Sequence, residues 1–167
     1  HLIFGPRDPH LLPRVIEAVR AKRLKVIGSG SNQVDVTFVK DAARAHIHAL
    51  AALQSGLASG KAYFISQGEP VFLWDWLNKI LRELGQPELK GRVPLPLAYS
   101  LGAILEGLWQ LLPLKGEPPL TRFAAVELAK DHYFDLSNAR CDLDYAPSYS
   151  MEEALFETIE DLKRVCD

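Results

Sequence analysis

The residues best suited to chemistry are a glycine-rich turn, a histidine pair, two tryptophans, five tyrosines and two cysteines. Gly28-Ser29-Gly30-Ser31-Asn32 could cradle a phosphate, since glycines let backbone N–H groups approach an anion. A dinucleotide fingerprint needs a third glycine three residues on, and that position is Gln33. The turn is read instead as closing a hairpin between Lys25-Val26-Ile27 and the run from Val34. His46 and His48 stand two apart in a helical stretch, on different faces, which argues against a shared metal. Cys141 and Cys166 lack the spacing of a metal site and fit a reducing compartment. Trp74 and Trp76 lie beside an apolar helical stripe, so core packing or a pocket mouth is expected of them. No Gly-x-Ser-x-Gly elbow is present, and no carboxylates stand out as an acid and base pair. A tyrosine followed four residues on by lysine would suit proton transfer at a carbonyl oxygen. The fourth residues after Tyr63, Tyr99, Tyr133, Tyr145 and Tyr149 are Gln67, Ala103, Ser137, Tyr149 and Glu153. The residues alone therefore offer no catalytic group and no metal site.

The elements that would position these residues alternate. His1-Leu2-Ile3-Phe4 is an apolar strand run closed by Gly5-Pro6. Asp8 and Pro9 suit the cap and first position of a helix whose Leu12, Val15, Ile16 and Val19 share a face. Val34, Val36 and Phe38 alternate as in a strand. Asp41 is placed to cap a helix over 42–54, with Ile47 and Leu50 inward. Tyr63-Phe64-Ile65 reads as a second buried strand. Leu73, Leu77, Ile80 and Leu84 stripe an amphipathic helix stopped by Gly85. Residues 94–114 are apolar and broken by Pro94, Pro96 and Pro113, and read as a helix over a pocket mouth. Segment 120–131 is helical and Tyr133-Phe134-Asp135-Leu136 a short strand. Ser150-Met151-Glu152-Glu153 has the form of a capping box before a last helix lined by Met151, Leu155, Ile159 and Leu162.

This is an α/β pattern in which strands are followed by helices. Isolated parallel strands make no stable sheet, so the pattern calls for a larger sheet than 167 residues supply. The strand-like start at His1, without Met or leader, suggests a sequence cut from a longer one. A formal net charge of -2 and a pI near 6.2 give no electrostatic reason to expect a nucleic-acid partner.

The order of motifs resembles the C-terminal half of an extended short-chain dehydrogenase/reductase, and more narrowly the 3β-hydroxysteroid dehydrogenase family. The matching pieces are Ile3-Phe4-Gly5-Pro6-Arg7-Asp8, residues 28–43, Gly60-Lys61-Ala62-Tyr63-Phe64-Ile65-Ser66, residues 134–140 and Leu143-Asp144-Tyr145-Ala146-Pro147. Within the family, residues 116–123 followed by Tyr133-Phe134-Asp135 resemble bacterial 2-alkyl-3-oxoalkanoate reductases. Residues 34–39 are similar to sterol-4α-carboxylate 3-dehydrogenases.

The resemblance implies the C-terminal part of a Rossmann-fold enzyme: the last parallel strands plus a small, mostly helical substrate lobe across 1–167. It implies an NAD- or NADP-dependent oxidoreductase that interconverts a hydroxyl and a ketone on a small apolar substrate, a 3β-hydroxysteroid or sterol or a 2-alkyl-3-oxoalkanoate. The glycine-rich turn and the tyrosine–lysine pair would lie upstream, in roughly 150–180 further residues. This chain alone is then expected to be inactive. By the resemblance, His1 and Leu2 fall at the nicotinamide, and Phe4, Pro6, Leu11 and Thr37 near the substrate. Relatives acting on nucleotide sugars place an arginine where Val34 stands, and a second in the stretch occupied by Glu127-Leu128-Ala129-Lys130-Asp131. Losing both bidentate cations argues against a diphosphate. A nucleotide-sugar epimerase or dehydratase of the same fold and a non-catalytic binding module remain the alternatives. A cytoplasmic location is expected, with peripheral membrane contact through 93–114 and a homodimer left open.

Overall fold

In the computed structural model, which describes residues 1–112 and 114–166, the first apolar run forms β1 (Ile3–Phe4) and turns at Gly5 into α1 (Leu11–Arg20). The N-cap position is His10 rather than Asp8, but the Asp8 carboxylate still accepts from the N–H groups of His10, Leu11 and Leu12 at 2.8–2.9 Å. The first helical residue is Leu11, two beyond the proline. Leu12, Ile16 and Val19 are buried along the expected face.

The polar turn at 28–32 does not close a hairpin. β2 (Val26–Ile27) pairs in parallel with β6 (Arg92–Val93), whereas β3 (Gln33–Val34) pairs antiparallel with β5 (Val71–Phe72). The turn carries the chain from one two-stranded sheet to another, with Gly28 and Gly30 both at positive φ. β4 (Thr37–Phe38) lies parallel to β1, in register Ile3 to Thr37. Val34, Asp35, Val36, Thr37 and Phe38 are all buried, so both faces of this stretch are covered.

α2 (Val39–Gln54) starts before Asp41, which does not cap it. Asp41 is fully buried and accepts from Gln67 Nε2 and from the N–H groups of Ser148 and Tyr149. Ile47 and Leu50 face outward, 68% and 58% exposed, and the alanines Ala45 and Ala52 make the inner face. Tyr63-Phe64-Ile65 forms no strand, and Phe64 is exposed, stacked on Phe134 at 4.0 Å.

α3 (Leu73–Glu83) matches its expected stripe and buries Trp74, Trp76, Leu77 and Ile80. Residues 95–111 are one unbroken helix, α4 (Leu95–Leu111), because Pro96 sits in the first turn where no N–H is needed. Pro113 lies outside the described residues. α4 packs on α5 (Arg122–Glu127), which is shorter than the expected segment and is capped by Thr121 accepting from Ala124 N–H. Tyr133-Phe134-Asp135-Leu136 is not a strand; a single parallel bridge joins His132 to Val34. The turn that follows, α6 (Ser137–Leu143), had no signal in the sequence pattern. α7 (Met151–Cys166) begins with the capping box, Ser150 and Glu153 bonding each other's N–H groups. The side chain of Cys166 lies outside the described residues.

Two clusters hold the chain together. The larger joins Phe4, Val34, Val36 and Phe38 to the inner faces of α1, α3 and α7. The smaller packs α2 on α6 around Tyr145.

Candidate functional site

The β1–β4 pair fixes the backbone at the start of the chain. Thr37 N–H donates to the Leu2 carbonyl at 3.2 Å. Its Oγ1 lies 2.9 Å from the His1 carbonyl and 3.0 Å from that of Ile65, and its one proton serves one of them at a time. Leu2 turns with φ 43°, and its side chain enters a cavity of about 80 Å³. Leu11 and Val15 of α1, Leu73, Trp76 and Leu77 of α3, and Leu128 complete the apolar wall. Glu127 and His132 are the polar residues of that lining. Leu128 is shared with a second cavity of about 630 Å³ between α1, β2, α4 and α5. That larger cavity is lined by Leu24, Ile27, Val93, Ala98, Leu101 and Leu105, with Arg23 and Lys25 as its charged lining residues.

Of the residues implied by resemblance, Leu2 and Leu11 line this cavity, and His1 does not, reaching it only through its bond to His132. Phe4 and Thr37 are 1% exposed and lie in the packing; Phe4 meets Phe38 and Trp76 edge to face or tilted at 5.8 and 5.2 Å. Pro6 borders a different groove, with Phe156, Glu157 and Asp161 of α7. The six therefore do not line one pocket.

Two residues that no sequence signal marked complete the arrangement. His132 Nδ1 lies 2.7 Å from His1 Nε2, and His132 Nε2 lies 2.8 Å from the Glu127 carbonyl oxygen. The Glu127 carboxylate stands 3.6 Å from the same Nε2. The His1 ring also meets Phe134 edge-on at 5.5 Å. His1, Glu127 and His132 offer three potential metal-ligand atoms within 4.8 Å of one another. By contrast, His46 bonds the Ala42 carbonyl and His48 that of Leu143, so that pair shares nothing.

Val34 is fully buried, paired with Val71, and Lys130 uses its carbonyl to accept from Asn32 Nδ2. Among the described residues, the small cavity thus has no arginine or lysine in its lining. Tyr145 is not an acid for this site. It donates to the Ser66 carbonyl, and burial, then the nearby Asp41 charge, push its hydroxyl up to about 12.

Residues 1–97 match the 3-beta hydroxysteroid dehydrogenase/isomerase family. The chain is 47% identical over 155 residues to a 2-alkyl-3-oxoalkanoate reductase of Stenotrophomonas maltophilia, covering 92% of this chain and 47% of that protein. It is 46% identical to a 2-alkyl-3-oxoalkanoate reductase of Shewanella oneidensis, covering 93% and 41%. It is 35% identical to the decarboxylating sterol-4-alpha-carboxylate 3-dehydrogenase of Mus musculus, covering 96% and 45%. The chain thus spans somewhat under half the length of these curated relatives. Among solved structures it resembles a UDP-glucuronic acid 4-epimerase from Bacillus cereus in complex with NAD, with TM-score 0.61 and 20% identity over 99% of this chain and 44% of that one. An epimerase from Methanothermobacter thermautotrophicus gives TM-score 0.62 at 20% identity, over 98% and 41%. These likenesses establish the fold, part of a Rossmann-type α/β architecture.

Proposed function

The chain belongs to the 3-beta hydroxysteroid dehydrogenase/isomerase family, and on that premise we propose that it is the substrate-binding portion of an NAD(P)-dependent oxidoreductase. The reaction interconverts a hydroxyl and a ketone on an apolar substrate, either a 2-alkyl-3-oxoalkanoate or a 3β-hydroxysteroid or sterol. The observation that carries this reading is the apolar cavity at Leu2 and Leu11, whose lining among the described residues lacks a lysine or arginine. A diphosphate needs fixed cations, and the position that would present one is the buried Val34.

Bound nicotinamide would supply hydride acceptance and donation at the carbinol carbon. The residues present fit a cofactor edge at His1 and Leu2. Thr37 N–H holds the Leu2 carbonyl and its hydroxyl alternates between the carbonyls of His1 and Ile65, which restrains the backbone there before any ligand arrives. Leu2, Leu11, Trp76 and Leu128 then exclude water and orient hydrocarbon. The outer stripe of α4, Leu97, Leu101, Ile104, Leu108 and Leu111, is 42–83% exposed. No helix among the described residues is long and apolar enough to cross a membrane. In this reading the stripe makes peripheral contact with a bilayer surface. Flotation of the full-length protein with lipid vesicles tests that contact, and a dimer that buries the stripe instead would refute it.

The activity is tested with the full-length protein, NAD+ or NADP+ and a 2-alkyl-3-hydroxyalkanoate. Reduced cofactor and the matching ketone should form in equal amounts. Absence of both, with every member of the apolar series, would refute the reading.

A further inference from the structure

We propose that the cavity of about 630 Å³ between α1, β2, α4 and α5 takes one acyl chain of an anionic phospholipid, whose phosphate sits at Arg23 and Lys25. The inference rests on the bilayer contact proposed above and is independent of the oxidoreductase reaction. Sites that hold a small molecule measure roughly 300–1,000 Å³, and this cavity falls in that range. Alanines on three helices make the room: Ala18 of α1, Ala98 of α4 and Ala124 of α5 all line it. The helices are not free to close over it. α4 already meets α5 at Gly102, where a Cβ would stand 2.8 Å from the Arg122 nitrogen, and the bonds from Arg122 to Glu106 hold the same junction. Leu101 lines the cavity and is also 47% exposed in the outer stripe of α4. The apolar surface that faces the bilayer in this reading therefore runs into the cavity wall.

The cations are placed by the end of α1. Lys22 takes φ 55°, and the N–H groups of Arg23 and Leu24 both bond the Ala18 carbonyl, at 2.8 and 3.3 Å. This turns the chain back on the helix and brings Arg23 and Lys25 into the lining. The Lys25 stem packs on Gly91, whose added Cβ would stand 3.5 Å from Lys25 Cδ. Among the described residues neither cation has a salt-bridge partner, and no Asp or Glu lines the cavity. Long basic side chains lay their stems on apolar surface and keep their heads in water. The charged end of a ligand thus stays at the rim while its hydrocarbon is buried. Arginine and lysine together suit a phosphate, and a neutral lipid would leave both without a partner.

The test is calorimetry on the full-length protein with lysophosphatidylglycerol and lysophosphatidylcholine of equal chain, below their micelle concentrations. The anionic lipid should bind one to one and about 25-fold tighter, about fivefold for each cation. Arg23→Gln with Lys25→Gln should bring the two lipids within about threefold. Ala18→Leu, which fills the cavity and leaves the charge alone, should weaken both at least about tenfold and keep the preference, which is the loss of about two buried methylenes. Equal affinity of the two lipids for the unaltered protein would overturn the site, with or without a folded variant. Undiminished binding by folded Ala18→Leu would place the chain on the surface and overturn it too. Laurate binding as tightly as lysophosphatidylglycerol would give the cavity to a free fatty acid and overturn the phospholipid. One-to-one binding without flotation on phosphatidylglycerol vesicles would support the site and defeat the bilayer contact. Flotation without such binding would overturn the site and leave that contact intact.

Discussion

Gln67 Nε2, in the loop before β5, donates to Asp41 Oδ2 of α2 at 3.0 Å in a buried junction. The same amide accepts from Phe38 N–H through Oε1, and the other Asp41 oxygen accepts from Ser148 N–H at 2.8 Å. The pair therefore ties β4, α2 and the loop before α7 together. Asp41→Asn replaces one acceptor oxygen with a donor facing another donor. It should cost about 1–3 kcal/mol by urea denaturation. A change within error would show that the junction does not depend on the carboxylate.

Phe4→Ala separates packing from substrate contact. Phe4 is 1% exposed between Phe38 and Trp76, so its loss leaves a cavity in the main core. Stability should fall by about 3–5 kcal/mol. Unchanged stability with a raised KM would return Phe4 to the substrate pocket.

Glu106 of α4 accepts from Arg122 N–H at 2.7 Å and from its Nε at 2.6 Å, clamping α4 to α5. The backbone bond first, then the guanidinium, holds the carboxyl below its ordinary 4.5. A depressed carboxyl stabilises the fold above its unfolded value, and that share is lost as pH falls through the folded value. Wild type should melt above Glu106→Gln at neutral pH, and the gap should close below pH 4.5. A gap that stays constant down to acid unfolding would contradict the clamp.

The 167-residue chain alone should bind neither NAD+ nor NADP+ tightly, since its one glycine-rich turn spans two small sheets and opens no helix. Calorimetry with both cofactors checks this. Micromolar binding by the chain alone would place a pyrophosphate site within it.

What the sequence made legible was local. The stripe of α3 and the capping box of α7 are set by residues three and four apart, and both are present. What it hid was set by distant partners. Gly28 to Asn32 has hairpin residues, yet β2 and β3 take partners far along the chain, Arg92-Val93 and Val71-Phe72. Ile47 and Leu50 have helical spacing, but periodicity shows only that a face is apolar and not what covers it. Phe64 and Tyr133 have strand-forming side chains whose segments find no full ladder among the described residues. The cavity lining divides the same way: Leu2 and Leu11 were singled out by resemblance, for the nicotinamide and the substrate respectively, while His132 reaches His1 across 131 residues by topology alone.

The central claim is an apolar hydroxyl–ketone substrate. Its most direct measurement is kcat/KM of the full-length enzyme across 2-alkyl-3-hydroxy acids of increasing tail length, a 3β-hydroxysterol and a UDP-sugar. Each buried methylene is worth about 0.8 kcal/mol, so kcat/KM should rise roughly fourfold per carbon until the cavity is filled. The UDP-sugar should not turn over. Preference for the UDP-sugar, or indifference to tail length, would contradict the account.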